Sequence, residues 1–142
     1  MKKQILITPL LITLLIFLAA GLAIGQNALL HLKGDIPFDF TVIDKAMVAG
    51  NYDVLPSPVT ASPSLLIRSA DNNDAAVFLT LPVVKKEEIE PKLVFRRYGD
   101  QYFLAQIWGG GTKIGCELPK SAKERLVAQN QPEPQLIYVA AK

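Results

Sequence analysis

The chain has one cysteine, one histidine and one tryptophan among its 142 residues. A single cysteine excludes an intrachain disulfide scaffold and any Cys-rich zinc or iron–sulfur site. The single histidine, His31, leaves no second imidazole for a Ser-His-Asp triad or a His-clustered zinc centre. One-sided charge is also scarce: 15 Lys plus Arg stand against 13 Asp plus Glu. What the chain does have is apolar residues, at 50%. That content excludes wholesale disorder, and the length suits one domain.

The apolar residues are not evenly spread. Lys2 and Lys3 precede an uncharged run from Ile5 to Ile24, and Ala23 and Gly25 bracket Ile24. This is the order of an export leader, with cleavage expected between Gly25 and Gln26. Residues 5–24 are also as long as the roughly 17–25 apolar residues that cross a bilayer. An uncleaved inner-membrane anchor with the domain translocated is therefore the alternative, and the positive-inside rule gives both the same orientation. No cysteine near the cleavage region is available for a lipid anchor. Cleavage takes 25 of the 142 residues and leaves 117, with 13 bases and 13 acids. The +2 belongs to the leader. A neutral domain with interspersed charges carries no footprint for nucleic acid.

Residues 26–142 read as a single β-rich domain. Nine prolines, at Pro37, Pro56, Pro58, Pro63, Pro82, Pro91, Pro119, Pro132 and Pro134, cut it into strand-length pieces. In IPFDFTVI, Ile36, Phe38, Phe40 and Val42 alternate with Asp39 and Thr41, predicting one strand with a wet face. A loop at residues 49–51 then leads to a strand carrying Tyr52 and Val54. SLLIRS and AAVFLTLPVV flank ADNND as a hairpin. In KLVFRRYGDQYFLAQIW, Gly99-Asp100 fits a two-residue type II′ turn, setting Arg97 opposite Tyr102 and Phe95 opposite Leu104. Uninterrupted alternation then puts Leu93, Phe95, Arg97, Tyr102, Leu104 and Trp108 on one face. Val94, Arg96, Tyr98, Phe103, Ala105 and Ile107 take the other.

Because both faces are partly apolar, the fold expected is all-β: a small antiparallel β-barrel, or a β-sandwich with something packed on its outside. Gly109-Gly110-Gly111 reads as a flexible joint. Ser121 with Glu124 is a capping box opening a short C-terminal helix, with Ala122, Leu126 and Gln129 inward. Leu136–Val139 is then a closing strand, or else a loosely attached tail.

Candidate chemistry is thin. His31 lies close to the expected cleavage site, and Cys116 reads as a packed free thiol or an intermolecular disulfide partner. Asp39 and Asp53 are the carboxylate pair on which the alternative reading, a small secreted hydrolase, would rest. Asp71–Asp74 lacks the glycine and terminal glutamate of an EF-hand and reads as an Asx-stabilised turn. The densest constellation is Arg96, Arg97, Tyr102 and Trp108, where guanidinium forks and aromatic faces suit an anionic or glycan-like ligand or a protein partner. No catalytic residue, metal ligand or cofactor is assigned.

IPFDFTV, AGNYDV, LLIRSADNNDAAVFLT, KLVFRRYGDQYFLAQIW and ELPKSAKER, in that order, resemble short secreted β-rich proteins of unknown function common in Acidobacteria. The resemblance spans nearly all of the mature chain. It departs where those proteins often carry glycine and this chain has Asp44-Lys45 and Asn72-Asn73. It implies an envelope protein, secreted or periplasmic, and carries no catalytic residues. The function expected is therefore noncatalytic: binding a small molecule or an envelope protein, or a structural role, with a homo-oligomer as one form of partner. Membrane contact is expected only through residues 5–24 if the leader stays.

Overall fold

Proline divides the chain more finely than its hydrophobic alternation does. The computed structural model describes residues 30–58, 63–131 and 133–142. The leader expected over residues 1–25, with its cleavage point and apolar run, lies outside them. The alternation of residues 36–43 runs unbroken, but Pro37 has no N–H to give a ladder. The chain forms β1 (Leu32–Ile36), bends, and resumes as β2 (Phe40–Val42) in a different sheet. The one strand expected there is two. Thr41, expected on the wet face, is buried because β2 lies alongside β9 (Gln101–Trp108) at Phe103.

β2 turns through Ile43 into β3 (Lys45–Met47), and β4 (Gly50–Pro56) follows. Ile43 takes a φ of 58°, a conformation that costs a β-branched residue about 1–3 kcal/mol, and its side chain packs against the core. The expected hairpin of β5 (Ser64–Ser69) and β6 (Ala75–Leu79) is present, paired from Ser64↔Leu79 to Arg68↔Ala75. Its turn is held by Asx and Ser side chains. Asn72 Oδ1 accepts from the Asp74 N–H at 2.6 Å, and Ser69 Oγ accepts from the N–H groups of Asp71 and Asn72.

AAVFLTLPVV is not one strand of one sheet. At Thr80 the chain leaves β6 and enters β7 (Leu81–Ile89), which pairs with β10 (Thr112–Glu117). Val77, Leu79 and Leu81 are exposed while Phe78 and Thr80 are buried, so the period of two passes straight through the change of sheet. β8 (Lys92–Tyr98) and β9 form the expected hairpin. After α1 (Ala122–Asn130), β11 (Gln135–Ala140) pairs with β8 from Arg97 to Lys92 and closes the chain as a strand.

The result is two sheets packed as a sandwich with a short helix near the C-terminus. One runs β1-β4-β5-β6 and the other β11-β8-β9-β10-β7, with β2 and β3 at its flank. Between them lie Ile36, Val54, Ile67 and Phe78 from the first and Leu93, Phe95, Leu104 and Ile107 from the second. Phe40 sits edge-on to both Tyr52 and Phe95, at 5.1 and 5.4 Å between centroids. The barrel alternative is corrected: neither sheet closes on itself among the described residues. The sheets meet at one corner only by backbone bonds exchanged between Lys33 and Lys142 (2.8 and 3.0 Å) and a Gly34–Ala141 bridge. The outer face that suggested curling carries α1 instead, tied to it by Glu124 at Arg96 and Tyr98.

Two further expectations fail for one reason each. β9 carries an extra residue: Phe95 opposes Leu104, but Val94 opposes Gln106. That bulge at Ala105 reverses the alternation beyond it. Ile107 therefore joins Leu93 and Phe95 in the core, and Trp108 moves to the face of Val94, Arg96 and Tyr98. The helix does begin at Ser121, whose Oγ accepts the Glu124 N–H at 3.1 Å. Yet Ala122, Leu126 and Gln129 are all exposed, and the residue buried beneath it is Glu124. The helix is held by polar bonds, not by an aliphatic stripe. In the glycine triplet, a Cβ on Gly109 would lie 2.7 Å from Leu30 Cδ1 and one on Gly110 2.5 Å from Pro91 Cγ, whereas Gly111 faces open space.

Glu124 and Arg96 form a two-pronged buried pair: Nε to Oε1 at 2.5 Å and Nη2 to Oε2 at 3.1 Å. Tyr98 Oη donates to the same carboxylate, and Arg96 also donates to the Leu118 carbonyl. Removing one partner of such a pair costs about 3–5 kcal/mol because the other stays buried and uncompensated. Urea unfolding should show that loss for Glu124→Ala. Leu126→Ser, on the exposed side, should stay within about 0.5 kcal/mol, and the Arg96→Met/Glu124→Leu pair should regain most of the Glu124→Ala loss. Equal losses for Glu124→Ala and Leu126→Ser would contradict the polar clamp.

Candidate functional site

The β8–β9 hairpin that carries the four candidate residues turns at Gly99-Asp100, with Gly99 at φ 58°. Its register is the expected one near the turn, so Arg97 does oppose Tyr102. Alternation already sets Arg96 on the face opposite Arg97 and Tyr102, and the Ala105 bulge moves Trp108 across to join Arg96.

Arg96 and Trp108 are on the outer face of the sheet, and both are buried. Arg96 is consumed by Glu124. Trp108 donates its indole N–H to Gln106 Oε1 at 3.1 Å and lies so close over β10 that a Cβ on Gly115 would meet the ring at 2.7 Å. The Lys85 ammonium covers it at 5.1 Å from the ring centroid.

Arg97 and Tyr102 are half-buried on the other face, at the open end of the sandwich. The guanidinium stands 5.4 Å from the Tyr102 centroid, and Tyr102 stacks on Phe38 at 3.9 Å and 15°. Arg97 Nε also donates to the Gly99 carbonyl at 2.7 Å. Tyr102 lines a concavity of about 250 Å³ with Asp39, Thr41, Val48 and Lys123. A second concavity of about 380 Å³ is walled by Lys33, Asp35, Asn51, Asp53 and Lys142.

Asp39 and Asp53 are not brought together. Asp39 accepts the Ala49 N–H at 2.9 Å, on the side of the first sheet to which Tyr52 points. Asp53 follows Tyr52 in the strand, so it points to the opposite face. There it lies among Arg68 at 3.5 Å, His31 at 3.7 Å and Lys33 at 3.9 Å. His31 thus serves a surface ion cluster, and Cys116 is a partly buried free thiol on β10. Among the described residues no group of three or more His, Cys, Asp or Glu side chains is placed to hold a metal ion. No described helix is long and apolar enough to cross a membrane.

The feature that sequence reasoning missed is the exposed aliphatic line along the sheet margins. Val77 and Leu79 of β6, Leu81 and Val84 of β7 and Ile114 of β10 are all more than half exposed, with Val84 reaching 68%. Val84 and Ile114 are direct cross-strand partners. Alternation in AAVFLTLPVV marks which residues share a side, but not whether that side has a cover. Comparison with known protein families, curated proteins and solved structures yields no match for this chain.

Tyr52 is the one described side chain with a clearly displaced acidity. Burial, and then Asp74, Asp39 and Asp71, raise its phenol above the ordinary value. Its hydroxyl donates to the Val48 carbonyl at 2.6 Å. The folded form keeps a proton that the unfolded chain releases near pH ~10. Stability should therefore fall as pH rises from there towards the folded value. The urea midpoint should show this alkaline decline, and Tyr52→Phe should flatten it; an unchanged decline would contradict the assignment.

For the four candidates, Trp108→Ala should cost about 3–5 kcal/mol of stability through the cavity it leaves. Arg97→Ala, half-exposed, should stay within about 1 kcal/mol. Comparable unfolding midpoints for the two variants would count against their placement on differently buried faces.

Proposed function

We propose that the protein is a noncatalytic, exported envelope protein that works by protein–protein contact along its open sheet margins. The observation that carries this is the exposure of Val77, Leu79, Leu81 and Val84 on the terminal strands β6 and β7, and of Ile114 on β10 beside Val84. Burying one such side chain is worth roughly 1.5–3 kcal/mol relative to leaving it in water. Exposed aliphatic residues on terminal strands are the composition of a contact surface.

Magnitudes favour a partner over a small ligand. Ligand pockets usually enclose roughly 300–1,000 Å³ behind mostly apolar walls. The Tyr102 concavity is smaller, at about 250 Å³, and the larger one is walled mainly by charged and polar residues. The carboxylates that a hydrolase would need are engaged separately, one by a backbone amide and one by cations. Export rests on the leader pattern of residues 1–25.

A photo-crosslinking residue placed at Leu81 or Val84 in the native host should give discrete protein adducts on the exported chain. The same residue at Asn72, in the β5–β6 turn, should give none. Equal labelling at all three positions, or none at Leu81 and Val84, would overturn the reading.

A further inference from the structure

β7 carries a second pattern beside its aliphatic residues. Its sequence from Pro82 to Pro91 reads P-V-V-K-K-E-E-I-E-P. About the Lys86–Glu87 bond the Lys85–Glu88 segment is its own charge complement when laid antiparallel to itself. Lys86 then meets Glu87, Lys85 meets Glu88 and Val84 meets Ile89, while Val83 falls opposite Glu90 and Pro82 opposite Pro91.

We propose that the partner is a second copy of this chain, docked two-fold through β7. The proposal rests on reading the sheet margin as a contact surface and names its occupant. β7 is the terminal strand of its sheet among the described residues, paired only with β10. Lys85, Lys86, Glu87 and Glu88 are all exposed, and none has an ion-pair partner among the described salt bridges.

The β10 pairing supplies the geometric condition. Val84 opposes Ile114 and Ile89 opposes Thr112, so four residues of β7 span a stretch where β10 has only Lys113. The Lys85–Glu88 segment therefore bows away from regular pairing with β10. Ile114 and Thr112 are two apart and share a face, so Val84 and Ile89 share it too, although they are five apart. A two-fold axis normal to a sheet preserves its faces. Val84 can meet the copy's Ile89 only if the two residues lie on one face, and the bow puts them there. An unbroken strand would have put them on opposite faces and forbidden this register. The same condition holds for Lys86 with Glu87 and Lys85 with Glu88, so self-docking requires the break in alternation at the Lys86–Glu87 bond.

Opposite charges aligned across an antiparallel contact are favourable and like charges are not. Charges at a margin commonly keep strands apart, but here their order makes them attractive to one partner. Val84 and Ile114, cross-strand partners on one face and both exposed, supply apolar area that such a contact would shield.

Native mass spectrometry and sedimentation of the protein purified from its host test this directly. Wild type should form a dimer that weakens as salt rises. Lys86→Glu and Glu87→Lys, which leave Lys85 over Trp108, should each weaken self-association at least tenfold. An equimolar mixture of the two should restore it as a heterodimer, and the double exchange K86E/E87K should restore it within one chain. A monomeric wild type, a dimer indifferent to either reversal, or no recovery in the mixture would overturn the proposal. A monomeric wild type that still crosslinks at Leu81 to a different protein would reject self-docking and leave the contact surface standing. A monomeric wild type without crosslinks would reject both.

Discussion

One extra residue in β9 decides how the second sheet is used. The bulge at Ala105 gives Ile107 to the core and Trp108 to the outer face, where Val94, Phe103 and Tyr98 also lie. The sheet then has two faces that water must not reach. One is covered by the first sheet. The other carries α1, tied to it through Glu124, and Lys85 of β7 lies over Trp108. Without the bulge, Trp108 would enter the interior beside Leu93 and Phe95, and Ile107 would leave it.

The cover is fastened by charge. A nine-residue helix is too short to be stable by propensity alone, and α1 has no aliphatic stripe to offset that. Arg96, Tyr98 and the Leu118 carbonyl instead converge with Glu124 into a network whose partners satisfy one another. Such a pair adds little net stability over an apolar substitute, but it permits one docking position and penalises others. Its role here is to fix where the helix sits.

Much of this was legible from residue order. The β5–β6 turn, the register near the β8–β9 turn, the start of α1 and the last strand follow from Asx residues, Gly99-Asp100, Ser121 and a short apolar run. Three features were not. Pro37 divides a strand whose alternation runs on undisturbed, and a bulge leaves no mark beyond an alanine in a β-rich run. Glu124 looks like half of a capping box, and nothing local says that its carboxylate reaches a strand 28 residues earlier in the chain. The candidate cluster Arg96, Arg97, Tyr102 and Trp108 is dense in sequence but divided in space: alternation parts Arg96 from Arg97 and Tyr102, and the bulge puts Trp108 with Arg96. The barrel alternative erred in taking two apolar faces for a closed sheet.

The same split shifts attention from the hairpin to the margins, where aliphatic residues and a self-complementary charge run lie together on β7. Amide hydrogen exchange across β7, followed at low and high protein concentration, tests that claim most directly. The account predicts that protection over residues 83–90 rises with concentration while β5 and β8 exchange unchanged. Exchange in β7 that does not vary with concentration would contradict it.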